Sequence, residues 1–154
     1  MELVAGAQQS LEPVEDERPL PEYAMLAAAF GTALAGFLAV AGRRLPERIS
    51  LADTARIGLA SYKFGRLIAK DRVAAFVRAP VTEDPDATKP KREGAARALG
   101  ELVTCPHCIG LWVASALTYS LVVFPRQTRL VTTIFGAQAV ADFLNAGFVR
   151  LRND

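Results

Sequence analysis

Leu102-Val-Thr-Cys-Pro-His-Cys-Ile-Gly-Leu-Trp-Val-Ala-Ser-Ala-Leu-Thr-Tyr-Ser-Leu-Val-Val-Phe-Pro125 is the stretch that decides how the chain is read. It holds both cysteines and the single histidine, and no Asp, Glu, Lys or Arg. A helix from Pro106 to Phe124 would rise roughly 28 Å at about 1.5 Å per residue, close to a hydrocarbon core of roughly 30 Å. Cys105 and Cys108 therefore stand at one mouth of an expected membrane helix.

Working outward, the charges are segregated. The chain has 154 residues, 51% apolar and 22% charged, which bounds it to one domain or one small membrane bundle. Tyr23 to Gly42 carries no charge, and Leu130 to Val149 carries only Asp142. Three such segments predict three membrane helices; the soluble alternative is a bundle with very apolar core helices. No strand pattern is visible, and helices satisfy their own backbone groups in lipid, so the expected fold class is all-α. The net charge of +2 gives no footing for nucleic-acid binding.

Met1 to Glu22 holds six acids, one base and three prolines, and reads as a disordered acidic tail. It lacks the basic start of a signal peptide, so the helix after it is expected to be retained. The membrane domain then spans 23–154. In its first helix Ala27, Gly31, Ala35 and Ala39 form a row of small residues. Such a row either permits close helix approach or reflects alanine-rich composition. Arg43, Arg44 and Arg48 mark the membrane exit.

Ser50 is the expected N-cap of a helix running to about Ala69, with Asp53 completing a capping-box variant. Arg56, Lys63 and Lys70 fall seven apart, giving a basic amphipathic helix. It suits either the anionic headgroup region or a solvated face packed on the bundle. Asp71 is the expected cap of a short helix from Arg72 to Arg78. Val81 to Arg92 reads as a mobile loop, Glu93 to Val103 as a short helix, and Pro125 to Arg129 as a tight connection. Residues Arg43 to Gly100 hold thirteen of the eighteen Lys and Arg against seven acids. The positive-inside rule then puts segment 43–101 and the C-terminus in the cytoplasm, with the N-terminus outside.

Cys105-Pro-His-Cys108 resembles the redox turn of thioredoxin-like thiol oxidases, where a helix N-terminus lowers the first thiol's pKa. The βαβ context is missing and the inferred side is reducing, which disfavours an oxidase. A second reading is metal: a dimer could supply four thiolates for zinc or an iron–sulfur cluster. A third is plain packing of a helix start. Asp142, with Asn145 three residues on, is the other unusual feature. A carboxylate within a membrane helix faces the bundle or water, as an anchor or a proton relay. No phosphate-binding glycine loop, His-Glu-x-x-His or nucleophile elbow is present, and one histidine leaves little room for hydrolytic chemistry.

Three stretches, Arg66-Leu-Ile-Ala-Lys-Asp-Arg-Val73, Arg78-Ala-Pro-Val-Thr-Glu83 and Gly100-Glu-Leu-Val-Thr-Cys-Pro-His-Cys-Ile-Gly-Leu-Trp112, together with Asp142, carry a family resemblance. They resemble bacterial domain-of-unknown-function family 1360, small integral membrane proteins with a sporulation-linked member. The resemblance covers most of Leu51 to Val149 and implies a membrane protein without assigning an activity. The chain is thus read as a three-helix bacterial inner-membrane protein, a structural or interaction module rather than an enzyme. Its expected partners are the bilayer, anionic headgroups, and a second copy or another membrane protein. The alternative is a membrane thiol–disulfide oxidoreductase or a dimeric metal-binding protein using Cys105 and Cys108.

Overall fold

A computed structural model describes residues 20–42, 45–46, 49–84, 88–91 and 94–153. Four long helices are α1 (Leu20–Ala41), α2 (Leu51–Lys70), α5 (Pro106–Val123) and α6 (Pro125–Asn153). Between α2 and α5 lie α3 (Ala75–Arg78), flanked by 3-10 turns, and α4 (Gly94–Thr104). Among the described residues there is no strand, only an isolated bridge between Thr82 and Pro90. The all-helical expectation agrees.

Local chemistry sets the helix ends. The Asp53 N–H donates to the Ser50 hydroxyl at 3.0 Å and opens α2, a cap of about 1 kcal/mol. Arg78 closes α2 from outside: its buried guanidinium donates to the carbonyls of Ile68 and, at 3.1 Å, Asp71. These carbonyls lie at a helix end, where intrahelical donors run out. Pro106 and Pro125 each take the first position of a helix, where the missing N–H costs nothing. For that reason Phe124 alone separates α5 from α6, and the expected connection through Arg129 is instead the first turn of α6.

α2 is the centre of the bundle. Its N-terminal end meets the last turns of α5, where Asp53 and Ile49 share a cleft with Leu121 and Val122. Its Gly65 meets the first turn of α5, so α2 and α5 are antiparallel. Against α6 it pairs Asp53 with Arg129 and Lys63 with Asp142, so α2 and α6 run the same way. Ala60 and Ala139 are fully buried on this seam, and Phe64 stacks on Phe135. α1 lies along α5 in parallel, through Phe30 on Trp112 and Phe37 on Tyr119, and Tyr23 donates to Glu101 on α4.

Several expectations are corrected. Of the two readings of α2, the one packed on the bundle is what the structure shows. α2 is a fourth rod, because the row Arg56, Lys63 faces α6, where Asp142 awaits it. Asp71 makes no side-chain cap, and its short helix splits into two 3-10 turns around α3. The expected mobile loop from Val81 to Arg92 lies partly outside the described residues; among those described, Glu83 N–H donates to the Lys89 carbonyl, and Lys91 N–H to that of Val81. Asp84 accepts from the Thr88 hydroxyl and from the backbone N–H groups of Lys89 and Thr88, which holds its carboxyl down to about 2. The small-residue row of α1 is exposed, and a Cβ at Gly31 would meet nothing within 4 Å. The expected disordered tail lies outside the described residues up to position 19, and Leu20 to Glu22 form the first turn of α1. Arg43, Arg44 and Arg48 also lie outside them.

Candidate functional site

Two features gather the chemically distinctive residues, one at the end of the bundle where α2 stops and α5 starts, the other along the contact of α2 with α6. The first is the cysteine turn. Cys105 is the N-cap of α5, with extended backbone, and its sulfur accepts the Cys108 N–H at 3.3 Å. Burial resists ionisation of the Cys105 thiol. Hydrogen bonds from the Cys108 thiol and from the Cys108 and His107 N–H groups outweigh it, with help from the Lys70 charge, and hold the pKa below the ordinary value. Cys105 is half-buried and Cys108 exposed; both are free thiols. This is the thiolate-favouring arrangement of a helix N-terminus.

The turn is seated by Gly65. A Cβ there would come within 2.8 Å of the Pro106 carbonyl oxygen, so only glycine lets α2 approach this closely. Among the described residues no three His, Cys, Asp or Glu side chains converge as a metal site. Within one chain, His107 does not complete a site with the two cysteines.

The second feature is a seam of paired charges between α2 and α6. Lys63 Nζ donates to Asp142 at 2.6 Å, and Gln138 supports the same carboxylate at 3.3 Å. Fourteen residues earlier on α6 than the neighbourhood of Phe143, Arg129 grips buried Asp53 with two bonds, 3.0 Å from Nε and 2.9 Å from Nη2. Arg56 adds a third at 2.8 Å. Asp142 and Asn145 also line an open cavity of about 450 Å³ with Tyr62, Arg66 and Asp71. The sequence flagged Asp142 and Asn145 but missed Lys63 as the partner, and gave no structural role to Gly65 or to the Arg78 side chain. One signal was available: α2 carries an acid and then a base (Asp53, Lys63), α6 a base and then an acid (Arg129, Asp142). That order is what two parallel neighbours need.

These features define an all-helical bundle with exposed apolar rods, paired charges along the contact of α2 with α6 and a thiol turn at one end. Residues 57–148 match the family described as "Protein of unknown function (DUF1360)". The chain belongs to this family, as the resemblance implied. The match takes in most of α2 and all of α3 to α5, and stops within α6; it leaves out α1 and Asp53. The chain is also 26% identical over 104 residues to UPF0713 protein YngL of Bacillus subtilis (strain 168), covering 62% of this chain and 80% of that protein. No solved structure matches it.

Proposed function

We propose that this chain is an integral membrane bundle acting as a structural or interaction module. The observation that carries this is the exposure of its most apolar helices. α1 and α5 are long and apolar enough to cross a membrane, yet only 6% of each apolar window is buried. A soluble protein would bury such helices in its core; these lie outside, with Leu34, Leu38, Leu111 and Val123 uncovered. α6 is longer but less apolar, because Arg126, Arg129 and Asp142 interrupt it. α2 and α6 therefore cross as a charge-paired couple, their ionic groups turned to each other, with α1 and α5 beside them. In place of three spans with termini on opposite sides, four rods put both ends of the described chain on one side. That side carries Lys70, Arg72, Arg97, Arg150 and Arg152 and is assigned to the cytoplasm of a bacterial inner membrane.

Washing membranes with alkaline carbonate tests the reading. The protein is expected to stay in the pellet and to need detergent for release; recovery in the wash supernatant overturns it. A second reading, thiol–disulfide exchange at Cys105 and Cys108, is favoured by the lowered Cys105 pKa and the exposed neighbour. Alkylation trapping in intact cells separates the two. Fully reduced thiols support the module, and a large disulfide fraction supports redox chemistry.

A further inference from the structure

The cavity between α2 and α6 carries charges that the fold does not use. Lys63 and Asp142 are spent on each other in its wall. Arg66 makes no ion pair among the described residues: its guanidinium donates to the Tyr62 hydroxyl at 3.4 Å, lies 6.0 Å from that ring, and acts on the Asp142 charge only from beyond ion-pair distance. The side chain of Asp71, also in the cavity's lining, makes no capping bond, and among the described residues its carboxylate has no partner either. A cation and an anion, neither of them in an ion pair, thus share one cavity of about 450 Å³. That volume is within the roughly 300–1,000 Å³ typical of small-molecule sites.

The geometry points to a binding site for a zwitterion: an anionic group on Arg66 and an ammonium on Asp71. Tyr62 and Phe143 stack with centroids 5.0 Å apart at the outer lip, and both are exposed. Aromatic side chains beside basic ones mark headgroup depth in a bilayer. A phosphate and an ammonium held two carbons apart, as in an ethanolamine phosphate, present both charges to one small site. The aromatic lip offers the ammonium a second favourable face. The carrier is a phospholipid headgroup if the membrane reading holds, on which this identification of the source rests; the same chemistry is available from free phosphoethanolamine.

Full-length protein in detergent is titrated with three probes: dihexanoyl phosphatidylethanolamine, dihexanoyl phosphatidylglycerol and free phosphoethanolamine. Calorimetry reads binding, and thermal unfolding without ligand shows that each variant is folded. The ethanolamine lipid is expected to bind saturably and the glycerol lipid, which has the same phosphodiester but no ammonium, about tenfold more weakly. Arg66→Gln and Asp71→Asn should each weaken the ethanolamine lipid by a similar factor, and Arg66→Lys should retain most of the binding. Equal affinity for the two lipids, or unchanged affinity in folded Arg66→Gln, overturns the site. Binding of free phosphoethanolamine by a protein that carbonate releases from membranes would keep the site while removing the membrane reading. Absence of saturable binding by every probe removes the site whatever the carbonate wash shows.

Discussion

Asp142 has one short bond, from Lys63 at 2.6 Å, and a longer one from Gln138, a turn earlier on its own helix. Removing one member of such a pair strands the other charge, whereas replacing both with apolar groups does not. Asp142→Leu and Lys63→Met should each lower the melting temperature in detergent, and the double variant should recover part of that loss. Asp142→Asn should be milder than Asp142→Leu, because its amide oxygen still accepts from Lys63. A double variant as unstable as the worse single one would mean that stability does not come from the pairing. At Cys105 the expectation concerns pH. Only the thiolate alkylates, so a thiol held below its ordinary pKa reacts fully at a lower pH. In Cys108→Ala, which also removes the neighbouring thiol's hydrogen bond, the alkylation midpoint of Cys105 should move back up relative to Cys105 in the native chain. Peptide mapping of iodoacetamide-treated protein across pH resolves the two thiols; an unmoved midpoint would leave the backbone donors as the whole cause. Asp142 and the cysteines were legible in the sequence because each is anomalous where it stands. Lys63 was not, since one lysine in a row of basic residues looks like a solvated face until its partner's position is known.

At the scale of elements, the signals that could be read were those that act within a few residues. Ser50 before α2 and Cys105-Pro106 before α5 are cap signals, and both helices begin where they predict. The direction in which α2 turns its basic row was not readable, because periodicity tells which residues share a face and not what the face meets. The 3-10 turns around α3 were missed for a related reason: they follow from Arg78 folding back onto the end of α2, a contact ten residues away. The crossing of α2 and α5 gives a sharp test of this packing. Gly65→Ala puts a methyl within 2.8 Å of the Pro106 carbonyl oxygen, a backbone atom that cannot turn aside. Overpacking of this kind costs about 1–3 kcal/mol. Gly110 lies on the same turn of contact, but a Cβ there meets nothing within 4 Å. Gly110→Ala should therefore be neutral or slightly stabilising through helix propensity. Thermal unfolding of the two variants side by side checks the crossing, and similar behaviour would contradict it. Because Pro106 follows Cys105, Gly65→Ala should also change the alkylation rate of Cys105, while Gly110→Ala should not.

For the whole molecule the central fact is the direction of its four long helices. α1 and α5 run one way, α2 and α6 the other. Three apolar runs were legible as a pattern of missing charge, but counting them gives an odd number of crossings and termini on opposite sides. α2 fails any such count because its ionic groups are satisfied by α6 instead of being absent. Adding it makes the number even and returns α6 to the end where α1 begins. The segment between α2 and α5, with Lys70, Arg72, Arg78, Lys89, Lys91 and Arg97, shares that end, as do Arg150 and Arg152. Among the described residues the opposite end holds Arg56, Arg126 and Arg129, and both Arg56 and Arg129 are engaged with Asp53. Under the proposed membrane reading, the charge bias orients the four-rod bundle with the segment and both ends of the described chain inside. Paired reporters, one active only in the cytoplasm and one only outside it, fused at each terminus in turn, should report the cytoplasm at both ends. A membrane-impermeant maleimide added to intact cells should then fail to label Cys108, although it is exposed on the bundle, and should label it once the membrane is opened. Opposite reporter signals at the two termini would remove α2 from the membrane and restore a three-span arrangement. Both termini outside, with Cys108 labelled in intact cells, would keep the four rods but invert them, and would place the thiol pair where disulfides persist.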